Sequence, residues 1–81
     1  MNIHLKLFAV VRDLTGTDEV VLTLPSGSRV SALLQSLFLQ YPQLQNLEHH
    51  VRIAVNWEYT PSDEVLHDND EVALIPPVSG G

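Results

Sequence analysis

The chain has 81 residues, enough for one compact domain and too few for a second. Ten acidic residues against four basic ones give a formal net charge of −6, so a phosphate backbone is repelled over most of the surface and nucleic acid is not an expected partner. The absence of cysteine excludes a disulfide framework, a thiolate zinc site, an iron–sulfur cluster and a cysteine nucleophile, and it suits a reducing cytoplasm.

Stability must then come from the 44% apolar share, a normal globular value that argues against disorder. From Asn2 to Phe8 the chain alternates, with Ile3, Leu5 and Leu7 on one side and His4 and Lys6 on the other, which predicts a half-buried strand. The apolar run from Ile3 to Val11 lacks a basic flank and a cleavage site, so it is not read as a signal peptide, and no stretch is long enough to span a bilayer. A loop with Asp13, Gly16, Thr17 and Asp18 follows, and then Val20, Leu22 and Leu24 alternate inward; the two strands read as a hairpin with a long connection. Ser28, after Pro25, Ser26 and Gly27, is the expected N-cap of a helix. That helix is carried by Val30, Leu33, Leu34, Leu37, Phe38 and Tyr41, spaced to share one face, and Pro42 ends it. Leu44 and Leu47 are expected to close the core below it. Val51, Ile53 and Val55 mark a third strand, a short edge strand is expected between Trp57 and Thr60 before Pro61, and a tight turn at Asp68 and Asn69 leads into a last strand, Glu71 to Ile75, with Val72 and Leu74 inward. The expected fold is α+β: a roll in which a mixed sheet of four to five strands packs on one main helix, spanning residues 1–75, with residues 76–81 as an extended tail.

Two features break this pattern. Phe8 and Ile75 fall on the outward faces of the first and last strands, and a bulky apolar pair there is either covered by a bend or loop of the chain or forms a contact surface; the contact surface is the reading taken. The other is the run Pro76-Pro77-Val78-Ser79-Gly80-Gly81. Two prolines remove amide donors and stop sheet pairing, so the backbone leaves extended, and six residues can reach about 20 Å at roughly 3.3 to 3.6 Å each. A diglycine can enter a channel too narrow for any side chain, although fraying is the usual fate of termini and a Gly-Gly alone is weak evidence. Adjacent His49 and His50 point apart and lack a third ligand at metal spacing. The acidic residues Asp63, Glu64, Asp68, Asp70 and Glu71 lack a calcium-loop pattern, and no nucleophile is placed with a base, so neither a metal site nor a catalytic centre is expected within the chain.

The segment from Asp68 through Gly81, together with Leu7 to Gly16 and the run Ala54-Val55-Asn56 with Tyr59, resembles the small, sulfur-carrying subunit of molybdopterin synthase, and the likeness covers essentially the whole chain. It departs from that family at Asn69, where glycine is frequent, at Trp57, where a small or polar residue is common, and at Pro61. The resemblance implies a ubiquitin-like β-grasp fold with the first and last strands parallel at the sheet centre, which sets Phe8 beside Ile75. It implies a sulfur carrier that is not an enzyme on its own and binds no cofactor. An adenylating activating enzyme would use ATP to attach AMP to Gly81, a sulfurtransferase donor would convert the terminus to a thiocarboxylate, and a large subunit would pass the sulfur to cyclic pyranopterin monophosphate, in a complex of two small and two large subunits.

On that resemblance, Gly81 is the reacting residue, and Gly80, Ser79, Val78, Pro77 and Pro76 give it access. Phe8, Tyr59 and Ile75 form the partner-binding face. Three other readings are weighed: a diglycine carrier for thiamine or tRNA thiolation, a ubiquitin-like modifier that joins lysines through the same adenylate, and a plain binding module. The last leaves the tail and the outward Phe8 and Ile75 unexplained.

Overall fold

A computed structural model describes residues 1–47 and 49–76. The elements in chain order are β1 (Asn2–Leu7), α1 (Ala9–Thr15), β2 (Glu19–Thr23), α2 (Val30–Gln40), a 3-10 helix (Pro42–Leu47), β3 (Arg52–Val55), β4 (Glu58–Tyr59) and β5 (Glu71–Ile75). The five strands form one sheet in the order β2-β1-β5-β3-β4. β1 is parallel to β5 and antiparallel to β2, while β3 runs antiparallel to both β5 and β4. The mixed sheet on one main helix agrees with the α+β expectation, and β5 is paired on both edges in the sheet interior.

One face of the sheet is apolar because the alternation of β1, β2 and β5 is kept in register: Leu5 stands beside Val20 and Val72, and Leu7 beside Leu74. Val30, Leu33, Leu37 and Phe38 of α2 close on that face, and Leu44 of the 3-10 helix and Leu66 seal it. Leu34 and Tyr41, expected on the same helical face, are only partly buried at its margins, as is Leu47. The helix ends at Gln40 with Tyr41 as its cap residue, one residue before Pro42, as the steric restriction before proline requires.

Two local expectations are corrected. The connection from β1 to β2 is not a plain loop: residues 9 to 15 form α1, which buries Val11. Gly16 terminates it at φ 77°, where its N–H reaches the carbonyl of Arg12, a conformation that glycine adopts without side-chain clash. The second correction concerns Ser28, which does not cap α2. Its hydroxyl donates to the Pro25 carbonyl at 2.7 Å, and the N-cap position is Arg29, which makes no side-chain cap. The free amides at the start of α2 are instead met by a distant segment, Val30 N–H by Glu64 O at 2.9 Å and Ser31 N–H by Ser62 O at 2.8 Å. The Leu66 N–H returns to Ser28 O at 2.8 Å, so residues 61–66 lie across the helix start and cap it from outside.

Two turns set the far end of the sheet. Asn69 adopts φ 67°, as the Asp68-Asn69 turn required. The two-residue connection between β3 and β4 places both Asn56 (φ 50°) and Trp57 (φ 74°) in the left-handed region, the geometry of a type I′ hairpin turn.

Candidate functional site

The outward face of the sheet follows from the register. Cross-strand partners share a face, so one line crosses all five strands as Glu19, Lys6, Ala73, Ala54 and Tyr59. The next line towards the exit of β5 holds Ile75 opposite Arg52. On β1 the corresponding step is Phe8, one residue past the last registered pair, Leu7 with Leu74. Its backbone is extended, φ −126° and ψ 156°, so the alternation of His4 and Lys6 carries through it, and it serves as the N-cap residue of α1.

Phe8, Ile75 and Tyr59 therefore belong to one face, with Phe8 and Ile75 at the exit of β5 and Tyr59 one line behind them on the β4 edge. Phe8 is 45% exposed and Tyr59 58%, while Ile75 is half-buried. Sequence reasoning did not find the group that links them: the Arg52 guanidinium lies over the Tyr59 ring, 4.0 Å from its centroid, and Arg52 is the strand partner of Ile75. The one-dimensional signal for Arg52 was its outward position in β3; its neighbours became visible only with the pairing of β3 to β5. Ala54 lies on the same face yet is buried, between Ala73 and Tyr59 across the sheet. Further along the face, the Lys6 ammonium meets Glu19 at 3.3 Å, and His4 Nδ1 lies 3.6 Å from the other oxygen of the same carboxylate. These groups are partly exposed, so they pattern charge more than they add stability.

The apolar exposure continues over the turn into α1, where Val10 and Leu14, four residues apart on one helical flank, are each 41% exposed. At the opposite end of β5 the contacts are polar. Asn56 N–H donates to Glu71 O at 2.7 Å, its side-chain amide donates to Asp70 Oδ1 at 2.9 Å, and its Oδ1 accepts from Glu71 N–H at 3.1 Å. The β3–β4 turn is thus clamped to the start of β5. The acidic residues Asp68, Asp70 and Glu71 gather there, away from the exit of β5.

Pro76 follows β5 directly and is half-buried. The expected tail residues Pro77, Val78, Ser79, Gly80 and Gly81 lie outside the described residues. Among the described residues no group of three His, Cys, Asp or Glu could hold a metal ion, and His49 and His50 are both exposed. No helix among them is long and apolar enough to cross a membrane.

Comparison with known proteins gives this geometry a context. The chain is 41% identical, over all of its length and 84% of the relative's, to the molybdopterin synthase sulfur carrier subunit of Arabidopsis thaliana. Among solved structures it resembles a putative molybdopterin converting factor, subunit 1, from Pyrococcus furiosus (TM-score 0.88, 34% identity, 96% of this chain and 99% of that one). It also resembles the small archaeal modifier protein 1 of Haloferax volcanii (TM-score 0.90, 28% identity, both chains covered in full). These neighbours share the ubiquitin-like β-grasp architecture, the same α+β roll found here. The model of the ThiS family matches residues 5–81, and with β5 leading from the sheet interior straight into the matched C-terminal segment, the chain belongs to the ThiS family.

Proposed function

We propose that this protein is the sulfur-carrying small subunit of a molybdopterin synthase, with Gly81 as the residue that bears the sulfur. The observation that carries the reading is the full-length likeness to relatives of that name, joined to a Pro-Pro-Val-Ser-Gly-Gly ending on the strand at the centre of the sheet.

The chemistry needs little from the carrier. A terminal carboxylate is an anion at neutral pH and a poor electrophile. An adenylating activating enzyme spends ATP to join it to AMP as a mixed anhydride. A persulfide on a sulfurtransferase donor then attacks the carbonyl carbon, the bond to the phosphate oxygen breaks and AMP leaves; a thiol cleaves the resulting acyl disulfide, forming a disulfide with the donor's sulfur as the thiocarboxylate is released. That group carries sulfur without a cysteine, in keeping with a chain that has none. In the synthase it passes to cyclic pyranopterin monophosphate, and the large subunit supplies the acid, the base and the pocket. The carrier contributes one reactive group on an arm of about 20 Å. Gly80, Ser79, Val78, Pro77 and Pro76 form that arm, and the absence of side chains at Gly80 and Gly81 lets the end enter a narrow channel.

Docking uses the outward face at the exit of β5, where Phe8, Ile75 and Tyr59 gather next to the root of the arm. Aromatic and aliphatic anchors of this kind dominate interfaces. The partner is the large subunit, in an assembly of two small and two large chains, and the site of action is the cytoplasm. A second reading, a ubiquitin-like protein modifier, draws support from the fold likeness to the archaeal modifier protein.

The test is sulfur transfer in a synthase reconstituted from purified subunits. Deletion of Gly81, or Gly80→Ala, is expected to abolish transfer and leave the melting temperature unchanged, since on this reading both residues serve the arm. Full activity of the Gly81 deletion refutes the assignment.

A further inference from the structure

We infer that Arg52 is a specificity residue of the docking face, and that a protein covering this face presents a carboxylate opposite it. The inference rests on the docking reading above and deepens it by naming the chemistry of the partner surface. Four cationic side chains occur in the chain. Lys6 is engaged with Glu19, and the Arg29 Nη1 donates to the Asp63 carbonyl at 2.7 Å. Arg12 sits in the last turn of α1, where a positive charge complements the carbonyl end of the helix. Arg52 and Arg12 are both exposed, and among the described residues neither guanidinium has an acidic partner or a hydrogen-bond acceptor, but of the two only Arg52 lies on the outward face of the sheet, opposite Ile75.

Its place is fixed all the same. Stacking over Tyr59 at 4.0 Å holds the long side chain against the sheet and leaves the donors along the edge of the guanidinium free. It is the strand partner of Ile75, the last residue of β5, so it flanks the root of the arm. Any protein that buries Phe8, Ile75 and Tyr59 takes Arg52 out of water with them. An unpaired buried charge is strongly unfavourable, so the covering surface must supply an acceptor, and the planar fork fits a carboxylate best. The ten acidic residues of this chain add selectivity, since a broadly acidic partner is repelled and a single carboxylate within an apolar or basic surround is not.

The experiment compares binding of the full-length wild-type carrier, Arg52→Gln, Arg52→Lys and Phe8→Ala to the purified large subunit at low and high salt, after unchanged melting temperatures establish that each variant folds. Arg52→Gln keeps a planar side chain over Tyr59 and removes the charge; it is expected to weaken binding about tenfold or more. It is also expected to flatten the salt dependence. Arg52→Lys restores charge without the fork and is expected to recover part of the affinity. Arg52→Gln binding within twofold of wild type while Phe8→Ala binds weakly overturns the inference and leaves the docking face intact. Loss of affinity with unchanged salt dependence also overturns it, because packing and not charge is then responsible. Wild-type affinity for both Arg52→Gln and Phe8→Ala refutes the docking reading itself.

Discussion

Replacing Trp57 by glycine should stabilise this protein. Trp57 is the second residue of the two-residue β3–β4 turn, at φ 74°, and 84% of its surface is exposed. An L-residue held in the left-handed region costs roughly 1–2 kcal/mol, and a bulky one is a conformational outlier. Glycine removes that cost but loses more backbone entropy on folding, about 0.5–1 kcal/mol. The ring is too exposed to contribute much burial, so the balance favours glycine by about 1 kcal/mol. For a domain of this size that raises the melting temperature by about 4–8 °C. Trp57→Ala is the control: it removes the ring and keeps the strained backbone, so its melting temperature should stay close to wild type. Thermal unfolding followed by far-ultraviolet circular dichroism is the suitable assay, because Trp57 is the only tryptophan and a fluorescence signal would vanish with it. A lower melting temperature for Trp57→Gly would refute the reasoning, since the ring would then have to make contacts that its exposure denies.

Leu5, fully buried between β2 and β5, should cost about 2–5 kcal/mol when cut to alanine, whereas Phe8→Ala should leave stability nearly unchanged and weaken assembly with the large subunit; chemical denaturation beside a binding titration separates the two. Asn56→Ala removes two side-chain hydrogen bonds that clamp the β3–β4 turn to β5, and denaturant unfolding should show a loss of about 1–3 kcal/mol. On the proposed function, an activating enzyme and the large subunit would both take in the same arm, which could not reach two distant sites from one docked pose, so the two should compete for the carrier. A stable ternary complex in a size-exclusion experiment with labelled carrier would show separate surfaces.

The strands and α2 were legible because each buries one face, and burial writes a period into the sequence: two for Ile3, Leu5 and Leu7, and 3.6 for Val30, Leu33 and Leu37. α1 was hidden because seven residues with one fully buried side chain, Val11, carry almost no period, and Asp13, Gly16 and Asp18 read as turn chemistry. The cap of α2 was misassigned to Ser28 for a different reason: its amides are satisfied by carbonyls more than thirty residues away, which local rules do not see. The candidate site divides in the same manner. Phe8 and Ile75 stood out as apolar residues in outward register, and the diglycine was visible by eye. Arg52 became part of the site only when β3 was paired with β5, because an outward arginine on a strand is unremarkable until its neighbours are known.

The central claim is that Gly81 carries sulfur. Intact-mass measurement of the carrier isolated from its native cells tests it most directly. The account predicts a species heavier than the unmodified chain by the difference between one sulfur and one oxygen, with fragmentation placing the change at Gly81, and no such species when Gly81 is deleted. A population made up only of unmodified chain and larger conjugates joined through lysine would contradict it and favour the modifier reading.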